Sequence, residues 1–242
     1  MAKSVLTNAG IYIGGYELSG YSNAVQLQGG PDILDVTGFG STGYREYIAG
    51  LMANNFSVAG FNDWANVDAV LFDKIGDTDE VLTLCETNAT GGVSFFMRGV
   101  EGTYNAGMAI GQAASFEMAG SVSTGPIVRG TVMHRATAAA SSANGTGYQL
   151  GALASTKSLY GALHVFSISG TNTPTLGVKI QSDDNSGFTS ATDRLTFTNA
   201  TAIGSEWKSA SPGAISDDYW RAVLTISGTN PSFGLIVSFG FA

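Results

Sequence analysis

Chemistry needs reactive groups that converge, so the residues to weigh first are two histidines, one cysteine and nineteen carboxylates. His134 borders a Ser/Ala/Gly-rich stretch, and His164 lies inside the apolar run ALHVFSI. Each reads as a structural residue with its polar atoms satisfied rather than as a catalytic one. Cys85, in VLTLCET, sits at an alternating apolar position and reads as a small buried hydrophobe. A single cysteine excludes an internal disulfide. There is no HExxH, no paired CxxC, no P-loop and no GxSxG elbow. One cysteine and two separated histidines do not make a transition-metal site.

The acids cluster twice, as Asp77, Asp79 and Glu80 in IGDTDEV and as Asp183 and Asp184 in SDDNSG. Clustered acids with Gly and Asn can hold calcium, but the EF-hand spacing is missing and such residues are ordinary turn formers. GFGSTG, from Gly38, lacks the strand–helix context of a dinucleotide site and reads as a Gly-rich loop. The eleven basic residues are scattered singly, which argues against specific nucleic-acid binding. Trp207, Tyr219 and Trp220, near Asp217 and Asp218, are the candidates for a sugar platform, yet Tyr219 and Trp220 begin an apolar strand. The expectation is a non-enzyme with no cofactor and no metal.

The elements that carry these residues are strands. Charged residues are only 12% of the chain, glycine occurs 33 times, and Ser, Thr and Asn are abundant beside it. That is the turn chemistry of an all-β protein. AGIYIGGYELSG reads as a strand, a Gly-Gly turn and a second short strand. NAVQLQG, NNFSVAGFND, VSFFMRGVEGTY, AASFEMAGSV and LTFTNAT alternate at period two. One short helix is predicted from Val67 to about Ile75, capped by Asp63 or Asn66 and ended by Gly76. The opening segment, MAKSVLTNAG, shows no apolar h-region, so no signal peptide is expected. No run of 18 apolar residues suggests a membrane helix.

Composition suggests three parts: a domain over residues 1–130, a linker over 131–147 and a second domain over 148–242. Residues 1–130 hold 5 basic and 13 acidic side chains, and residues 131–242 hold 6 of each. The whole imbalance of −8 thus falls in the first part. The second part contains a near-repeat, LYGALHVFSISGTNTPTLGVKIQS and YWRAVLTISGTNPSFGLIVSFGF. Its Gly-Thr-Asn segments, Gly170–Pro174 and Gly228–Pro231, are predicted to be hairpin turns, with the two hairpins forming the faces of a β-sandwich.

An ordered series in the first half carries a family resemblance: Leu18, Ser19, Gly20, Tyr21 and Asn23; then Val36, Thr37, Gly38, Phe39 and Gly40; then Gly50, Leu51, Phe56, Val58, Gly60 and Phe61. Over roughly residues 8–125 the chain resembles bacteriophage tail tube (major tail) proteins, with an appended C-terminal β-sandwich. The resemblance implies a tail-tube-like sandwich or barrel domain with one short helix. It implies homo-oligomeric rings, usually of six, that stack and join their inner strands into a barrel around DNA, which passes without sequence-specific binding. It implies a long loop, Asp32–Gly50, reaching a neighbouring subunit, with Asp35, Thr37, Phe39, Tyr44, Arg45, Glu46 and Tyr47 as its contact residues. Partners would be copies of the chain and other tail or head proteins, the location the virion, and no membrane would be involved.

An acidic wall repels phosphates, so the lumen-lining acids are expected among Glu17, Glu101 and Glu117. The Arg45–Glu46 pair either sets register across an interface or is an ordinary exposed pair. The alternatives are a head decoration or cement protein, a head–tail adaptor, and a sugar-binding module.

Overall fold

The structure is a computed structural model, described for residues 6–122 and 125–242. The strands are β1 (Gly10–Ile13), β2 (Tyr16–Glu17), β3 (Ser22–Asp35), β4 (Tyr47–Phe61), β5 (Glu80–Cys85), β6 (Val93–Gly107), β7 (Ser115–Val122), β8 (Val128–Ala139), β9 (Ala143–Asn144), β10 (Tyr148–Gln149), β11 (Leu159–Asp183), β12 (Thr192–Thr196), β13 (Gly204–Ala210) and β14 (Tyr219–Phe241). One helical segment interrupts them: a π-helical turn over Trp64–Asp68 runs into α1, Ala69–Asp73. The protein is all-β, as composition predicts.

The chain forms two compact units. The first holds residues up to Gly20, then Glu80–Arg98 and Val128–Ala242; the second holds Tyr21–Asp79 and Gly99–Ile127. This differs from the composition-based cut. Residues 131–139 are not a linker but most of β8, which pairs with β14 from Gly130↔Gly240 to Ala139↔Phe233. The small side chains of TAAA hid a strand whose identity comes from its partner rather than from its own pattern. The charge asymmetry nonetheless follows the physical units. Residues 21–79 and 99–127 carry two basic and ten acidic side chains, and the remainder carries nine of each.

In the first unit the near-repeat does something other than form two hairpins. β11 and β14 lie antiparallel along their whole length, from Leu159↔Phe241 through Thr171↔Thr229 to Asp183↔Tyr219. The first half of β11 lies between β13 and the second half of β14; its second half lies between β12 and the first half of β14. The two Gly-Thr-Asn segments therefore face each other across a corner, where this two-stranded ribbon passes from one sheet to the other. The corner needs glycine. Gly170 and Gly228 have φ of 122° and 116°, and a Cβ on Gly170 would stand 2.8 Å from the Asn230 carbonyl oxygen. Leu163, Val165, Leu176, Val178, Trp220, Leu235 and Val237 close the sandwich core between the two sheets. The predicted sandwich is present, but each long strand supplies half of each face.

On the other side of the first half of β11, Ala162 packs with Val81, Phe96 and Val128. Here β5, β1 and the first part of β6 curl back over the sheet. His164 is central to this layer and is 0% exposed. Its Nδ1 donates to the Gly14 carbonyl at 2.7 Å, so its Nε2 accepts from the Thr83 hydroxyl at 2.8 Å. Burial holds the imidazole down at about 4, hence neutral. The reading of His164 as a satisfied structural residue describes this geometry. His134, on β8, is half-buried and its burial also lowers it.

In the second unit four strands pair in the order β3–β4–β7–β6, all antiparallel. One face is the core. Phe56 and Val58 of β4 stand opposite Gly120 and Met118 of β7, and Phe116 and Met118 are buried. The helical segment covers this face with Val67 and Leu71, both 0% exposed. Asp63 caps it by accepting from the Ala65 and Asn66 amides. The segment starts three residues before the predicted Val67, because the π turn adds residues ahead of the apolar face. Tyr104 of β6 ties it down through a 2.8 Å hydrogen bond to Asp68.

Candidate assembly surface

Three features of the second unit are unusual for a surface. The first is the sheet face opposite the helix. The register places Gln26 and Gln28 of β3, Asn55 and Ser57 of β4, Ser121 and Glu117 of β7, and Thr103 and Asn105 of β6 on it. Asn55 and Ser121 are joined by a 2.9 Å hydrogen bond. Across these four strands the face is amide, hydroxyl and small apolar, with Ala24, Ala59 and Ala119 between the polar groups, and Glu117 is its charged group among the described residues.

The second feature is the sheet edges. No described strand pairs with the outer side of β3, nor with β6 beyond Glu101, where Ile75 makes an isolated bridge. Free edges are usually blunted with lysine, or kept short. These two carry no lysine; β3 holds Pro31 and two aspartates, Asp32 and Asp35, at its arm end. In an antiparallel sheet of four strands, the two outermost strands run in opposite directions.

The third feature is the β3–β4 arm. Pairing continues from Leu27↔Phe56 to Asp35↔Tyr47, well past the sheet core, and residues 36–46 close the tip. Both faces of the ribbon are apolar: Ile33, Tyr47 and Met52 on one, Leu34 and Ile48 on the other, with Leu51 at the bulge between them, all exposed. A two-stranded ribbon is marginal in water, and apolar residues on both faces are the pattern of a strand covered on both sides. The tip is nevertheless organised. Val36 donates to the Glu46 carbonyl at 2.9 Å, Glu46 donates its amide to the Thr37 hydroxyl at 2.9 Å, and Thr37 donates its amide to Asp35 at 2.9 Å. The Thr37 hydroxyl and amide hold the Asp35 carboxyl below its ordinary value. Arg45 reaches Asp35 at 3.6 Å. It thus pairs across the ribbon end, not with Glu46, and as an exposed, solvent-screened pair it adds little to stability. Phe39 and Tyr44 project fully from the tip.

The three acids expected to line a lumen end in different places. Glu117 is exposed on the polar face. Glu101 is 1% exposed, on the inner side of the second unit. Glu17 lies in the first unit, where its carboxylate takes hydrogen bonds from Asn88 at 2.7 Å, Arg135 at 3.1 Å, Tyr12 at 3.1 Å and Ser19 at 3.1 Å. Burial pushes the Glu17 carboxyl up, but the Asn88 and Arg135 hydrogen bonds outweigh it and bring it below its ordinary value. Period-two counting cannot tell an outward acid from an inward one that is ion-paired inside the fold. The remaining acids of the second unit lie mostly on the helical segment, its flanks and the arm.

The sugar-platform candidates do not form a platform. Trp220 is fully buried, donating its indole N–H to the Gly151 carbonyl at 3.0 Å, and Trp207 packs at a tilt against Phe96 and Tyr160. Asp217 pairs with Arg194 at 2.8 Å and accepts from Ser182. Asp183 accepts from Asn185 and Ser190, the turn role expected of SDDNSG.

No protein-family model matches the chain, and no curated protein does. Among solved structures it is similar to a chain from the tail of an empty gene transfer agent particle refined with C6 symmetry, at 20% identity and TM-score 0.35, covering 43% of this chain and 79% of that one. A chain from the virion of the native gene transfer agent is similar at 20% identity and TM-score 0.34, covering 43% and 82%. The phage SPP1 Dit protein, described as a paradigm of hub adsorption apparatus in phages infecting Gram-positive bacteria, is similar at 13% identity and TM-score 0.38, covering 98% and 100%.

Proposed function

We propose that the chain is a structural virion protein of a tailed phage, a tail-tube subunit that closes into rings through the second unit. The observation that carries the reading is the four-stranded sheet with two free, oppositely directed edges. Setting β3 of one copy beside β6 of the next keeps every neighbour antiparallel and uses up both edges. Head-to-tail pairing of this kind closes into a ring when the rotation allows, and a closed barrel leaves no edge exposed.

The polar face then becomes the lumen wall. Amides, hydroxyls and one carboxylate per copy offer DNA no cation to bind, so phosphates pass with little adhesion. The resemblance in the first half of the sequence points the same way, with rings of six as its implied size. On this reading the protein resides in the virion, its partners are copies of itself and other tail proteins, and it needs no cofactor. The acids spread over the helical segment and arm lie off the polar face, so Glu117 is the lumen acid and Glu17 and Glu101 are not.

Negative-stain electron microscopy of the purified chain, paired with light scattering, tests this. Rings or tubes with a central hole are expected. A monomer that persists at high protein concentration, with no rings on the grid, would refute it.

A further inference from the structure

We infer that an open groove beside Trp64 receives a cationic, apolar segment of a different protein, with aliphatic side chains in the groove and lysines or arginines against the acids around it. The inference concerns a surface within the second unit and does not depend on ring closure.

The groove, about 400 Å³, is lined by Trp64, Met108, Ala109, Ile110, Gln112 and Ala114. It lies between the turn that joins β6 to β7 and the start of the helical segment. Met108 and Ile110 are exposed, and Trp64 is half-exposed. Backbone hydrogen bonds give the site its shape before anything binds. Gln112 donates its amide to the Ala109 carbonyl at 3.1 Å within the turn, and Asn62 donates its amide to the Ala114 carbonyl at 2.9 Å just ahead of Trp64. A preformed groove adds little ordering cost to binding. Tryptophan and methionine side chains gathered in a concavity are enriched in the cores of protein interfaces.

Charge selects the occupant. The second unit carries ten acids and two bases. Both bases are already engaged, Arg45 with Asp35 and Lys74 with Asp77. Five of the acids, Asp63, Asp68, Asp73, Asp77 and Asp79, lie on the helical segment that begins at Trp64 or beside its ends. Residues 102–116 contain no charged side chain, so the groove has a neutral apolar floor and an acidic flank. A second copy brings the same excess of acid to this flank, and nucleic acid or an anionic lipid surface is repelled likewise. A cation is attracted. Trp64 exposes an indole directly after Asp63, which suits a guanidinium or ammonium: the ring offers a cation–π contact and the carboxylate a charged acceptor. A neutral apolar segment would leave the acids unmet, and a polar basic one would leave the groove unfilled. The match is a segment in which basic and apolar residues are interspersed.

Fluorescence anisotropy with short labelled peptides tests this on the full chain, monomeric or assembled. One probe intersperses Lys and Leu, a second Lys and Ser, a third Glu and Leu. The Lys–Leu probe should bind at least tenfold more tightly than either control, and salt should weaken it. Its binding should shift the tryptophan emission of the protein, and the shift should vanish in Trp64→Phe. Met108→Ser with Ile110→Ser, both exposed and so harmless to folding, should weaken the Lys–Leu probe at least fivefold. Asp73→Lys, also exposed, should weaken it as well, which keeps the test decisive if the double variant misfolds. No binding of the Lys–Leu probe at low salt would overturn the proposal. Equal binding of the Lys–Ser probe would mean a charged surface without a groove, and equal binding of the Glu–Leu probe an apolar one that takes a copy or a neutral partner; either result counts against it. Full-strength binding to the Met108→Ser, Ile110→Ser variant would put the peptide elsewhere. Loss of binding on assembly would show that copies already fill the groove, also against the proposal.

Discussion

Thr83→Val asks how much of the first unit hangs on one buried hydrogen bond. Valine keeps the shape of threonine and removes the hydroxyl. The His164 carbonyl partner on Nδ1 is unaffected, so Nε2 is left as an acceptor without a donor in a fully buried site. An unsatisfied buried acceptor costs about 1–3 kcal/mol. The same histidine gives a pH signature. Its folded value, about 4, lies below its ordinary 6.5, so the unfolded chain takes the proton first as pH falls. Its contribution is whole above about pH 6.5 and is lost progressively down to about 4. Between pH 7 and pH 5 the expected loss is about 2 kcal/mol. Urea unfolding followed by tryptophan fluorescence reads this well in a Trp64→Phe background, because Trp207 and Trp220 both belong to the first unit. A His134→Gln change removes the other histidine, whose burial shifts it the same way. Carboxylates held below their ordinary values act only under about pH 4.5, outside the window. An unchanged midpoint in Thr83→Val, or equal stability at pH 7 and pH 5, would refute the role given to His164.

Three further outcomes are expected. Gly120→Ala would place a Cβ 2.2 Å from the Val100 carbonyl oxygen and 2.6 Å from the Phe56 ring; with backbone on one side, the second unit should lose about 1–3 kcal/mol, read by Trp64 fluorescence. Arg135→Met strips the cationic partner from Glu17, leaving its three neutral donors, and one partner from Tyr12; because the pair is partly solvated, about 1–3 kcal/mol is expected on thermal melting. The Glu17 part of that stability is present above the carboxylate range and is lost as pH falls below about 4.5, so the effect should be flat above pH 5. Glu117→Lys lies on an exposed face and should change stability by no more than about 0.5 kcal/mol; assembled tubes of the variant should retain DNA at low salt where the parent protein does not, measured by co-sedimentation.

The β class was legible in composition, because glycine-rich turns and period-two alternation need no partner to be recognised. The charge imbalance was legible as well, and it survived a change of domain boundaries, since net charge is a property of residues wherever they fold. The short helix was placed within three residues by its Asp63 cap and apolar face. The near-repeat was visible but its meaning was not. A Gly-Thr-Asn segment permits a hairpin or a corner equally, and only the pairing of β11 with β14 decides for the corner. β8 was missed because its glycine and alanines carry little strand signal of their own. The same limit governed the acids: Glu17, Glu101 and Glu117 look alike in sequence, and the direction each side chain takes depends on strand register and on a partner such as Arg135, which lies 118 residues from Glu17. Residue type and spacing therefore determined the strand class and the charge balance of this chain. Long-range pairing decided which edges stay open, which face is polar and where the arm points, because those are relations between segments that no local pattern encodes.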